Sequence, residues 1–149
     1  MSAIRNIDGP KDFIFRVLSG VAIGIVAGLV PNAILGEIFK YLIQYQPIFK
    51  TLLGVVQAIQ FTVPALIGAL IAMKFNLTPL AIAVVASASY VGSGAAQFKN
   101  GVWIIAGIGD LINTMITAAI AVLFILLIEE RVGSMALIIF PTIVGDLSA

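Results

Sequence analysis

Four runs without a single Asp, Glu, Lys or Arg, at residues 17–36, 51–73, 75–98 and 111–128, constrain this chain more than any other feature of its sequence. Each is near or above the ~18 residues that mark a segment able to cross a bilayer as a helix. Soluble globular chains are roughly 25% charged and about 45–50% apolar. This chain of 149 residues is 10% charged and 61% apolar, and folded in water it would lack the polar surface to cover itself. The expected fold is therefore all-α, a polytopic helical membrane protein. About four complete spans and a truncated fifth are expected, one of the four a candidate for a broken or re-entrant element.

Charge and rare residues narrow the function classes. Eight basic and seven acidic residues are scattered singly for a net charge of +1, so there is no basic patch of the kind nucleic-acid binding needs. Cysteine and histidine are both absent, which excludes a disulfide framework, thiolate or imidazole metal sites and a histidine general base within this chain. Neither a metal nor a cofactor is expected, and no catalytic constellation is visible. Arg5, Lys11 and Arg16 precede the first apolar run as in a signal peptide, but Asp8 and Asp12 interrupt them and no small-residue cleavage site follows. The first run reads as a span of the mature protein.

The expected spans are 13–30, 49–73, 79–96, 102–128 and a partial one at 135–149, which stops short of the usual ~20 residues. The whole chain reads as a single transmembrane domain. In the first span Arg16, Gly20, Gly24 and Gly28 recur every four residues and fall on one ridge. Gly20, Gly24 and Gly28 are predicted to let another helix approach closely. Pro31-Asn32 is expected to end that span. Residues 33–46 then follow helical spacing with Glu37, Lys40 and Gln44 on one side, as in an interfacial helix anchored by Tyr41 and Tyr45; a long first span running through them is the equal alternative.

Polar residues inside apolar stretches are the candidates for solute contact. Gln57 and Gln60 lie one turn apart in the second span, where Pro64 predicts a kink. The third stretch dissolves into a serine- and glycine-rich segment, 87–97, with Ser87, Ser89 and Ser93; Gly92, Ser93 and Gly94 are poor helix formers. In the fourth, Asp110, Asn113, Thr114 and Thr117 are spaced as one helical stripe. An ionisable group inside a span points to function, because burying it uncompensated costs at least ~2.5 kcal/mol. Asp110 equally suits the cap of a helix that begins after Gly107-Ile108-Gly109.

Several stretches together resemble a known family. Arg5-Asn6-Ile7-Asp8-Gly9-Pro10-Lys11-Asp12-Phe13, the segment 87–97, Gly107-Ile108-Gly109-Asp110-Leu111-Ile112-Asn113, and Glu130-Arg131-Val132-Gly133-Ser134 leading to Phe140-Pro141-Thr142-Ile143-Val144-Gly145 look like the N-terminal half of the IIC-like membrane proteins. That family is described as phosphotransferase-system sugar transporter subunit IIC, or as perfringolysin regulator-like membrane proteins. The resemblance covers essentially the whole chain and about half of the family's usual length. It implies a bacterial inner-membrane permease carrying a sugar or related small polar solute, working with cytoplasmic phosphotransferase subunits. Better-studied IIC subunits use histidine and glutamate at the sugar; here there is no histidine, and Asp110 is the one acidic residue well inside an expected span.

The leading expectation is thus a transport subunit embedded in the lipid bilayer. Its solute path would be lined by Gln57, Gln60, the 87–97 segment and the Asp110, Asn113 and Thr114 stripe, since hydroxyl and amide groups suit a polyhydroxylated solute. A second half of the same permease, with inverted topology, would complete it. The alternatives are a small homo-oligomeric channel, with the glycine ridge as oligomer contact and the Asp110 stripe facing a pore, and a membrane-embedded regulator that moves nothing. Basic residues divide five (Arg5, Lys11, Arg16, Lys74, Arg131) against three (Lys40, Lys50, Lys99), which favours a cytoplasmic N-terminus.

Overall fold

The computed structural model describes residues 7–132, in which the elements run α1 (Pro10–Leu42), α2 (Ile48–Gln60), α3 (Val63–Lys74), α4 (Pro79–Gly92), β1 (Ala96–Lys99), β2 (Val102–Ile105) and α5 (Leu111–Val132). The partial span expected at 135–149 lies outside the described residues.

Helix α1 begins at Pro10, which needs no N–H partner in a first turn, and Asp12 sits in that turn, paired with Arg16 at 3.0 Å. It does not stop at Pro31. The expected span 13–30 and the expected interfacial helix 33–46 are parts of one helix of 33 residues. Pro31 removes a single ladder hydrogen bond, and one turn of backbone is then engaged by a side chain: Asn32, buried, donates from Nδ2 to the Gly28 carbonyl at 2.6 Å. Apolar residues on both sides of the proline keep the helix in an environment where leaving it would expose unpaired backbone groups.

The second expected span is two helices, α2 and α3, bent by 43° at Phe61-Thr62. Pro64 stands just inside the start of α3, and the bend falls where its ring and missing N–H disrupt the ladder. Thr62 donates its hydroxyl to the Ile59 carbonyl at 2.7 Å, closing the exposed end of α2.

Helix α3 is the centre of the bundle: Val63, Ile67 and Ile71 are fully buried. On one side α1 presents Gly20, Gly24 and Gly28, where a Cβ would stand 2.6 Å from Cα of Ile71, 2.6 Å from Cγ1 of Ile67 and 2.8 Å from Cγ2 of Val63. In a bilayer apolar side chains gain little by leaving lipid, so close approach over small residues is what holds helices together. On the other side α4 packs on α3, with Ser89 against Gly68, and α5 packs on α4, with Thr117 against Gly92. The channel alternative is corrected here: the glycine ridge is covered by α3 of its own chain and is not open to a second copy.

Helix α4 starts at a cap, Thr78 accepting the Ala81 N–H at 3.3 Å, and stops at Gly92 after 14 residues. The span expected at 79–96 is therefore a short helix, and the one expected at 102–128 begins as a strand. Between them β1 and β2 form an antiparallel hairpin, with Lys99 opposite Val102. Asn100 (φ 53°) and Gly101 (φ 80°) both adopt the left-handed conformation that a tight two-residue turn requires. Among the described residues two helices, α1 and α5, are long and apolar enough to cross a membrane, or three spans if α2 and α3 count as one. Four complete spans is thereby corrected, because α4 at about 1.5 Å per residue reaches only about 21 Å.

Two ends of the bundle are distinct. At one, Arg16 Nη1 donates to the Lys74 carbonyl at 3.2 Å and Phe13 meets Phe75 at 5.1 Å. At the other, Phe39 stacks on Phe49 at 6.0 Å beside Glu37, Lys40 and Lys50.

Candidate functional site

The polar site is built where α4 ends and α5 begins. Leaving α4, Ser93 donates its hydroxyl to the Tyr90 carbonyl at 2.7 Å and accepts the Ala95 N–H at 3.1 Å. Its carbonyl receives the Asp110 N–H at 2.8 Å, and the Ala106 N–H reaches the Ala95 carbonyl at 2.7 Å, so the hairpin between them is closed at its base. Gly109, at φ 76°, passes so near Ser93 that a Cβ would lie 2.9 Å from the Ser93 carbonyl oxygen; only glycine satisfies both demands.

Asp110 is the N-cap of α5. Its Oδ1 accepts the N–H groups of Ile112 at 2.8 Å and Asn113 at 3.3 Å, and its carbonyl accepts the Thr114 hydroxyl at 2.7 Å. The carboxylate also lies at the positive end of the helix dipole, which favours its charged form. Both capping bonds use one oxygen, so Oδ2 of an exposed side chain is left for solvent or solute. A cleft of about 420 Å³ opens beside it, lined by Ser93, Gly94, Gln97, Ala106, Gly107, Gly109, Asp110 and Asn113. Gln97 donates to the Gly94 carbonyl at 3.2 Å, which leaves its amide oxygen as an acceptor.

Of the residues singled out in the sequence, the fold brings Ser93, Asp110 and Asn113 to one cleft. Thr114 is fully buried behind Asp110, and Thr117 packs on Gly92, so the lower half of the stripe faces a helix rather than the cleft. Ser89 is buried against Gly68 and donates to the Val85 carbonyl at 2.7 Å; Ser87, exposed, donates to the Ala83 carbonyl at 2.9 Å. Gln57 and Gln60 lie on α2, outside the lining of the cleft, with Gln57 exposed and Gln60 half-buried. Gln97 and the glycine backbone at 94, 107 and 109 are further wall elements. The signal for them was Asn100-Gly101 ahead of the β-branched run Val102-Trp103-Ile104-Ile105, the sequence form of a hairpin that returns the chain beside its start. No group of three or more His, Cys, Asp and Glu able to hold a metal is present among the described residues.

The sequence model of the family described as "Phosphotransferase system, EIIC" matches residues 15–149. The chain belongs to this family. No curated protein and no solved structure matches it. EIIC proteins are the membrane transport components of phosphotransferase systems, and the apolar helices of this EIIC chain fit that setting. The family match covers every residue of the cleft, the hairpin and α5.

Proposed function

We propose that this EIIC chain carries a sugar or related small polar solute across the bacterial inner membrane, and that the cleft between α4, the hairpin and α5 is where the solute is held. The observation that carries this reading is the spare capacity of the cleft. Asp110 keeps Oδ2 uncommitted, Gln97 keeps its amide oxygen, and Asn113 presents a whole amide, all on one wall of about 420 Å³. A polyhydroxylated solute needs such a mixture, since each hydroxyl both donates and accepts, and a carboxylate takes hydroxyl donors through strong charge-assisted bonds. In this reading Asp110 orients the solute; phosphoryl transfer, with no histidine in this chain, falls to cytoplasmic partner subunits. A second half of the permease would close the open side of the cleft. The N-terminus and the Lys74 turn lie toward the cytoplasm, with Lys40, Lys50 and Lys99 outside, as the basic residues divide.

The test is binding or uptake of a panel of sugars by the wild-type protein and by Asp110→Asn. Asparagine caps a helix as well as aspartate does and removes only the charge. The expected result is an intact fold with affinity for the preferred sugar lowered tenfold or more, on the order of 1.4 kcal/mol. Unchanged affinity in a normally folded variant overturns the assignment of Asp110.

A further inference from the structure

The hairpin that borders the cleft is two-faced. Its register places Ala96, Phe98, Trp103 and Ile105 on one side and Gln97, Lys99, Val102 and Ile104 on the other. The first face is wholly apolar. Its rings are paired, Phe98 and Trp103 standing 5.3 Å apart, yet they are 60% and 55% exposed, and Ile105 is 59% exposed. The second face carries Gln97, which turns to the cleft, and Lys99 at the turn. A two-stranded hairpin is marginal on its own in water, so an uncovered aromatic face calls for an apolar neighbour.

Depth decides which neighbour. Hydrocarbon is about 30 Å thick, the length of roughly 20 helical residues. On α1 that distance is marked by charges, Arg16 at one end and Glu37 at the other. Helix α4 starts beside Lys74, level with Arg16, and its 14 residues climb about 21 Å before the hairpin begins. The root of the hairpin therefore lies about 9 Å below the far boundary, within the ~5–10 Å depth that amphipathic elements occupy at an interface. Deeper hydrocarbon is excluded, because the outer edges of a two-stranded ribbon hold unpaired N–H and C=O groups that lipid tails cannot satisfy. The aromatic face is also continuous with apolar surface at the ends of the flanking helices, Val91 of α4 and Ile112 and Ile116 of α5, which are 38%, 64% and 48% exposed. Tryptophan and phenylalanine beside a lysine are the residues that settle at a headgroup boundary.

We infer that the hairpin is an interfacial lipid anchor: the Phe98, Trp103 and Ile105 face lies against the acyl–headgroup boundary, and the opposite face holds Gln97 over the cleft. The anchor fixes the mouth of the cleft at the membrane surface. It rests on the membrane setting of the family and not on the identity of the solute.

Trp103 is the single tryptophan of the chain, so its fluorescence reports on this face without any substitution. The measurement is made on the full chain in phosphatidylcholine vesicles whose acyl chains carry bromine either near the headgroup or near the chain end, with aqueous iodide as the third quencher. The expected result is a blue-shifted emission quenched about twofold or more strongly by the shallow bromines than by the deep ones, and little affected by iodide. Lipid quenching that does not favour the shallow bromines overturns the proposal. So does its absence at both depths, whether iodide then quenches, as for a hairpin in water, or not, as for one covered by a second copy or another protein.

Discussion

The backbone N–H of Asp110 donates to the carbonyl of Ser93 at 2.8 Å. This one bond joins the first turn of α5 to the last of α4, so the two polar ends are held together whatever the hairpin between them does. The cleft is in this sense a property of two helix ends, and the carboxylate that closes one of them is also its only charge.

Asp110 consequently has two separable roles. Asp110→Ala removes the acceptor for two N–H groups and is expected to cost about 1 kcal/mol of stability, whereas Asp110→Asn is expected to be neutral within a few tenths. Thermal melting in detergent checks the order. An asparagine variant as unstable as the alanine one would mean that the charge, not the cap, supports the fold.

At Gly24 a Cβ would meet Ile67 Cγ1 at 2.6 Å and its Cα at 2.9 Å, while Ala27 on the same helix is exposed. Gly24→Leu is expected to lose more than about 2 kcal/mol or to prevent folding, and Ala27→Leu to be tolerated. The comparison is read from melting and from yield of monodisperse protein. Equal tolerance of both would contradict the packing of α1 on α3.

Arg16 ties the lower end together through Asp12 at 3.0 Å, the Lys74 carbonyl at 3.2 Å and the face of Phe75 at 5.7 Å. Arg16→Met keeps the apolar stem and should cost about 1–2 kcal/mol, with Arg16→Lys restoring less than half because a point charge cannot serve three partners in one plane. Full rescue by lysine in melting experiments would reduce the cluster to a simple ion pair.

The two charged ends predict a labelling pattern. Cysteines placed at Lys74 and Lys50 are expected to react with impermeant reagents from opposite faces of a sealed vesicle, with Lys99→Cys reacting from the Lys50 face, and Lys74 cytoplasmic. Reaction of Lys74→Cys and Lys50→Cys from one face would contradict α2 and α3 as one bent span.

Much of this arrangement can be read from the residues, and the failures have physical causes. Long charge-free runs and Pro64 locate the membrane helices and the bend, because length and a missing N–H act locally. Pro31 misleads, since a proline that ends helices in water costs only one bond where Asn32 can reach the Gly28 carbonyl. The hairpin is hidden for a related reason. Val102-Trp103-Ile104-Ile105 is as apolar as a span, and only the Asn100-Gly101 turn separates strand from helix. At the site, period alone puts Asp110, Asn113, Thr114 and Thr117 on one stripe, but which part of it meets the cleft depends on where α4 crosses. Thr117 against Gly92 is a tertiary contact that no spacing reports.

The central claim, that the cleft holds the solute, is tested most directly by chemical protection. The chain has no cysteine, so Ala106→Cys places a single thiol in the wall of the cleft, and Lys50→Cys provides a control outside it. With the full-length permease in sealed vesicles, alkylation at 106 by a water-soluble maleimide is expected to slow at least threefold when the preferred sugar is added, while alkylation at 50 is unchanged. A rate at 106 that no bound sugar alters, in a variant that still binds it, would contradict the account.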